Sequence, residues 1–195
     1  VLFVGYALVA SAFAQAGAHI FGLEVNQTLV ELAQQTLDSE GVQGTAVIYD
    51  GYTFPFPNGS FDYVFSVSTL EHVSDHRAVL SEMARVLKPG GKAYLSFPNR
   101  WRPLETHTGF WFLSYLPIGL ARRVLKMVNR NTIDEINLSF LSFWSLKKYI
   151  RGLPLQIVYE IDAASPARRS VKKLMASFGI HFSAKLELRF IFLNF

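Results

Sequence analysis

The chain contains no cysteine, which excludes disulfides, thiolate metal sites and cysteine nucleophiles and fits a reducing, cytoplasmic setting. It also lacks an apolar run of the ~18–20 residues that a membrane-spanning helix needs. Its most apolar stretch, residues 110–120, is interrupted by Ser114 and Pro117. Residues 1–4 are short and uncharged and read as a strand, not a secretory leader. Internal repeats and low-complexity tracts are missing. Charged residues are scarce, at 17%.

In their place stand apolar and aromatic side chains, 50% and 14% of the 195 residues. That is enough to bury a large core, and the length predicts a single domain over residues 1–195. Mean hydropathy is high at +0.22. The net charge of +4 comes mostly from basic residues beyond position 84. A basic excess of this kind suits nucleic acid, an anionic membrane surface, or simply a solvated face.

Apolar runs at 1–5, 19–25, 45–49, 62–68 and 92–97 read as strands, with helical spacing between them. Residues 8–15 have small side chains suited to a helix packed on a sheet. In 28–37, Leu29, Leu32, Ala33 and Leu37 fall on one helical face. In 76–87, Val79, Met83, Val86 and Leu87 point inward, and Pro89 with Gly90 or Gly91 stops the helix. This alternation predicts an α/β, Rossmann-like, doubly wound and mostly parallel seven-stranded sheet, in the order 3-2-1-4-5-7-6. Residues 100–136 break the pattern with aromatics, prolines and basic residues. They are read as an insertion, or lid, after strand five. A helix over 145–151, a strand over 155–161, a helix over 166–178 and a closing strand over 185–192 complete the sheet.

In an open α/β sheet, ligands bind beyond the carboxyl ends of the strands. Glu24 ends the second strand, where a carboxylate can accept from both hydroxyls of a ribose; an exposed loop acid is the plainer reading. Asp50 ends the third strand, where it can meet a ligand at the sheet's edge or cap its own turn.

The run over 50–99, DGYTFPFPNGSFDYVFSVSTLEHVSDHRAVLSEMARVLKPGGKAYLSFPN, resembles the class I S-adenosylmethionine-dependent methyltransferases. The likeness is greatest to the type 11 domain group, which includes ubiquinone/menaquinone-type enzymes. The resemblance implies S-adenosyl-L-methionine as cofactor. It places Gly5, Tyr6 and Ala7 at the methionine end, Glu24 and Val25 at the ribose, and Asp50 and Gly51 at the adenine. Ser66, Ser68, Leu70 and His72 line the methionine and sulfonium side, His72 being equally a structural residue that closes the loop by a hydrogen bond, and Glu71 orients the loop. The chain departs from the pattern in three ways. Its first turn keeps one glycine of a G-x-G-x-G loop, Phe3 stands where an acid is common, and the chain opens at the first strand, without the helices that precede it in the family. An incomplete chain is therefore expected.

On the acceptor side, Glu105 and His107 in the stretch after strand five are the candidate catalytic residues. An imidazole titrating near neutrality suits the deprotonation of a hydroxyl, and both residues could equally hold the insertion together. Over 118–129, Ala121, Val124, Leu125 and Val128 form an apolar stripe flanked by Arg122, Arg123, Lys126 and Arg130. Such a helix packs into a core or lies on a membrane interface. The expected function is methyl transfer to oxygen or carbon of a small-molecule or lipid-linked acceptor, in the cytoplasm, with peripheral membrane contact. The alternative is a degenerate, non-catalytic binding protein. A nicotinamide enzyme is disfavoured by the lost G-x-G-x-x-G, and nucleic acid as substrate by Ser66-Val67-Ser68-Thr69, which stands where a D/N-P-P-Y loop would. The sequence is silent on oligomeric state.

Overall fold

The computed structural model describes residues 2–4, 17–159 and 190–194. The helices expected over 8–15 and 166–178 lie outside these residues, as do Gly5, Tyr6 and Ala7. Strand β1 (Leu2–Val4) pairs in parallel with both β2 (Ile20–Glu24) and β4 (Phe61–Val67) and so sits inside the sheet. Between β2 and β3 (Gly44–Ile48) runs helix α1 (Gln27–Ser39), opened by Asn26, whose side chain accepts from the amides of Thr28 and Leu29. The face α1 buries agrees with the expected one at Leu37 but not at Leu29 and Leu32. Val30 and Leu37 are buried, whereas Leu29 and Leu32 are 43% and 54% exposed. The helix is rotated so that Gln34 reaches the outermost strand, accepting from the amide of Ala46 at 2.9 Å. An edge strand has such amides to satisfy.

Helix α2 (His76–Val86) begins at Asp75, whose carboxylate accepts from Ala78, and buries Val79, Leu80, Met83 and Val86. It ends before Pro89: Leu87 is already extended and pairs with Phe61 at the start of β5 (Leu87–Ser96). The ladder then skips to Tyr63–Lys92, so 88–91 bulge outward, with Gly90 at φ +80°. Gly91 is packed against backbone here. A Cβ on it would lie 2.8 Å from the carbonyl oxygen of Lys88 and 3.0 Å from Leu87 Cδ2. Gly91→Ala is expected to cost about 1–3 kcal/mol through overpacking, read as a lower urea midpoint with an unchanged slope. An unaltered midpoint would show that the bulge yields.

After β5 come a short 3-10 turn (Leu113–Tyr115), α3 (Ile118–Met127), α4 (Thr132–Glu135), α5 (Phe143–Tyr149) and β6 (Gln156–Tyr159), then β7 (Phe190–Asn194). The sheet runs β3-β2-β1-β4-β5-β7-β6, with β7 antiparallel to both neighbours. The main core lies between the sheet and α2 with α5. A separate small core, Leu113, Ala121, Leu125, Ile133 and Leu138, lies within the insertion. Half of the stripe expected on 118–129 is spent there: Ala121 and Leu125 are buried, while Val128 is 49% exposed. Among the described residues no helix is long and apolar enough to cross a membrane.

Candidate functional site

The five parallel strands β1 to β5 end at one edge of the sheet. At the end of β2, Glu24 folds its carboxylate back onto its own turn. Oε1 accepts from the amides of Val25 at 2.8 Å and Asn26 at 3.2 Å. Oε2 has no hydrogen bond among the described residues. Just beyond β3, Asp50 is exposed, and its Oδ1 accepts from the amides of Tyr52 at 2.8 Å and Thr53 at 2.7 Å. The turn-forming role is thus real, and the bonds from Thr53 and then Tyr52 hold this carboxyl below its usual range. Both of these amides meet the same oxygen.

Glu24 and Asp50 flank the same spot. Burial, then the charges of Glu24 and Asp50, push the Tyr49 hydroxyl up to about 12. Gly51 has φ +86°, where a side chain is strained, and a Cβ on it would touch Val25 Cγ1 at 3.6 Å. Val25 itself is 55% exposed. At the end of β4, Ser66 is buried and its hydroxyl has no hydrogen-bond partner among the described residues. Ser68, at φ +51°, takes a left-handed conformation unusual outside glycine, and its amide donates to the carbonyl of Ser96 at 2.8 Å.

A second group gathers beside the loop after β4. Residues 136–139, at the end of the insertion and just beyond it, are tied to it: the Ser139 amide donates to the Glu71 carbonyl at 2.7 Å, and Asn137 Nδ2 donates to the His72 carbonyl at 2.8 Å. His72 Nδ1 lies 2.8 Å from the carbonyl oxygen of Ile136, so this nitrogen carries the proton. Burial depresses the basicity of the His72 ring. Glu105 is buried and holds the 105–109 turn. Its Oε2 accepts from the Thr108 amide at 2.6 Å; its Oε1 accepts from the His107 amide and ring Nδ1, each at 3.0 Å. Burial pushes the Glu105 carboxyl up, but the hydrogen bonds from Thr108 and His107 outweigh it and leave it below its usual range.

The rings of His72 and His107 meet edge to face, centroids 5.0 Å apart. Against them lies Glu71. Its side chain is 1% exposed, neither carboxylate oxygen has a hydrogen-bond partner among the described residues, and Oε1 is 3.9 Å from His107 Nε2. Burial pushes this carboxyl up to about 7. A cavity of about 10 Å³, bordered by Glu71, Glu105, His107, Arg100 and Phe140, adjoins the cluster.

The structure therefore separates the candidate residues into two groups. Glu24, Val25, Asp50 and Gly51 share the β2–β3 edge, while His72 joins Glu105 and His107. Glu71, read from the sequence as a loop-orienting residue, is the buried acid of the second group. The available signal was its position in a three-residue turn between two apolar residues, Leu70 and Val73, both of which are buried.

A doubly wound sheet with acidic residues at the carboxyl ends of adjacent strands defines a nucleotide-cofactor fold of the Rossmann-like class. Residues 4–95 match the family model described as a methyltransferase domain. The chain is similar to the ubiquinone/menaquinone biosynthesis C-methyltransferase UbiE of Cupriavidus taiwanensis, 33% identical over 120 residues, 60% of this chain and 49% of that protein. The chain thus spans about half the length of the curated relatives it matches. Among solved structures it resembles a putative methyltransferase from Bacillus halodurans C-125, with a TM-score of 0.62 at 16% identity, covering 99% of this chain and 90% of that one. It also resembles the [4+2]-cyclase SpnF, with a TM-score of 0.61 at 17% identity, covering 99% and 72%. At these identities the likeness is one of fold, and a cyclase among the neighbours shows that the fold alone does not set the reaction.

Proposed function

We propose that this chain binds S-adenosyl-L-methionine at the β2–β3 edge and transfers its methyl group to oxygen or carbon of a small-molecule or lipid-linked acceptor. The observation that supports this most is the pair of carboxylates, Glu24 and Asp50, each at the carboxyl edge of one of two neighbouring strands, with one oxygen held by the amides of its own turn. The donor set fits a nucleoside: Glu24 for the ribose hydroxyls, Asp50 for the adenine amine, and Gly51 for a close backbone approach. Val25, Ser66 and Ser68, with Gly5, Tyr6 and Ala7 of the first turn, complete the proposed site.

The cofactor supplies an activated methyl, so the protein's task is to align an acceptor and exclude water. Residues 100–136 serve as the lid of a single domain, seven strands in the order 3-2-1-4-5-7-6. Glu105 orients His107, whose Nε2 is the polar atom offered to the acceptor. The exposed Trp111 and Phe112, 67% and 54% accessible, favour an apolar or lipid-linked acceptor. The similarity to ubiquinone/menaquinone C-methyltransferases points the same way. The cations at a membrane surface would be Arg123 and Lys126, since Arg122 is paired with Asp134 and Arg130 donates to the Thr108 carbonyl. Retention of both carboxylates argues against the degenerate, non-catalytic alternative.

Calorimetry with S-adenosylmethionine and its demethylated product is the test. Glu24→Ala is expected to weaken binding ten-fold or more, since a hydrogen bond to a charged group is worth about 1.5–3 kcal/mol. A folded variant with unchanged affinity would remove Glu24 from the site. Absence of binding to the unsubstituted chain would remove the cofactor reading itself.

A further inference from the structure

We propose that Glu71, His72 and His107 form a binding site for a divalent transition-metal ion, zinc by the chemistry of the donor set. One ligand atom from each lies within 4.8 Å of the others. Two histidines and one carboxylate with a further position open is a donor set that zinc takes in catalytic sites.

The hydrogen bonds of the two histidines carry the argument. A carbonyl and a carboxylate can only accept, so Nδ1 bears the proton in both rings: His72 gives it to Ile136 and His107 to Glu105. Each neutral ring is then left with a lone pair on Nε2. This is the arrangement of metal-ligating histidines, whose other nitrogen donates to a backbone carbonyl or a carboxylate. Glu105 is itself fixed by the amides of His107 and Thr108, so the carboxylate behind His107 is rigid.

Nearest to the His107 lone pair is Glu71, 1% exposed, with no hydrogen-bond partner on either oxygen among the described residues. A carboxylate desolvated in this way is unfavourable unless a metal ion or a proton meets it. The Glu71 Oε1 to His107 Nε2 separation of 3.9 Å is too long for a hydrogen bond. It is close to the ~3.4 Å between neighbouring ligands of a tetrahedral ion with bonds near 2.0–2.1 Å. A shift of about half an ångström closes the difference for this pair, and the His72 nitrogen lies within 4.8 Å of both. The adjoining cavity of about 10 Å³ has room for roughly one water-sized ligand on the ion's open position. That ligand is a water, or an oxygen of the acceptor. In the second case the proposal deepens the acceptor-side reading above and rests on it: His107 then acts on the acceptor through the ion.

The test is titration of the tag-free, chelator-treated chain with zinc chloride, followed by calorimetry, with the visible spectrum of cobalt(II) reporting ligand geometry. No methyl donor is added, so failure here leaves the cofactor reading standing, and failure of that reading leaves this one standing. One ion per chain is expected, with a tetrahedral cobalt spectrum. Glu105→Gln, which alters the partner of His107 and removes no ligand, should weaken zinc binding about 10–100-fold. His107→Ala and Glu71→Gln should each weaken it further and abolish the cobalt spectrum. Glu71→Gln keeps the side-chain volume and guards against a folding failure in the alanine variant. Absence of zinc binding would overturn the proposal and leave a proton as the cation between Glu71 and His107. Zinc bound with the same affinity and cobalt spectrum in all three variants would also overturn it, by placing the ion elsewhere.

Discussion

Arg85→Ala is expected to lower folding stability by about 1–3 kcal/mol, since the ion pair and carbonyl bonds it breaks are half-buried and partly screened by solvent. Every N–H of the Arg85 guanidinium is used. Nε and Nη2 grip Glu82 at 2.7 and 2.6 Å, Nη1 donates to the Phe56 carbonyl and Asn58 Oδ1, and Nη2 also donates to the Phe54 carbonyl. Glu82 in turn accepts from the Phe54 amide at 2.8 Å. The pair therefore staples the turn that follows Asp50 onto α2, a few residues from the proposed adenine contact. The Glu82 side chain is 17% exposed, so removing its partner strands a carboxylate away from water.

A pH dependence follows with a definite sign. The hydrogen bonds from Arg85 hold the Glu82 carboxyl below its usual range. A depressed folded-state value contributes stability that is fully present above the unfolded value, about 4.3, and is lost as pH falls through the folded one. Urea unfolding of both proteins should show the largest gap near neutrality and a smaller one in acid. The gap does not close, because the bonds to Phe54, Phe56 and Asn58 do not titrate. A gap of the same size at both ends would mean that the ion pair contributes nothing beyond those carbonyl bonds.

Leu125→Ala is expected to cost about 2–5 kcal/mol, as truncations of fully buried leucines do, and to act on one part of the molecule. Leu125 is 1% exposed at the centre of the insertion's own core, with Leu113, Ala121, Ile133 and Leu138 around it. That cluster is distinct from the core under the sheet, so local opening should precede global unfolding. Native-state hydrogen exchange should show amides of residues 113–138 losing protection while those of β4 and β5 keep theirs. Equal loss in the sheet would show that the two cores open as one unit. The consequence for the site is direct, because Ile136, Asn137 and Ser139 are the anchors of His72 and Glu71.

Local signals in the sequence were enough for the strand–helix alternation and for the acids at the strand ends. A parallel strand buried on both faces is a continuous apolar run, and a carboxylate just beyond it needs no partner distant in the chain to be noticed. Glu24 and Asp50 are legible for that reason. So are Val79, Met83 and Val86, which follow the helical period and are buried. Period alone did not set the rotation of α1, where covering the β3 edge with Gln34 turned Leu29 and Leu32 outward. Nor did it set the end of α2, where pairing of Leu87 with Phe61 overrode the stop expected at Pro89.

Tertiary structure alone decided the cluster of Glu71, His72 and His107. The two histidines are separated by the whole of α2 and β5, and no periodicity links residues that meet through a chain crossing. Burial of Glu71 and the loss of its hydrogen-bond partners come from the insertion folding back over the loop after β4. The sequence determined which residue types were available at that edge. Only the packing of the insertion on the sheet determined that a buried carboxylate would lie within 4.8 Å of a nitrogen from each of two imidazoles, because desolvation and convergence are properties of the assembled core.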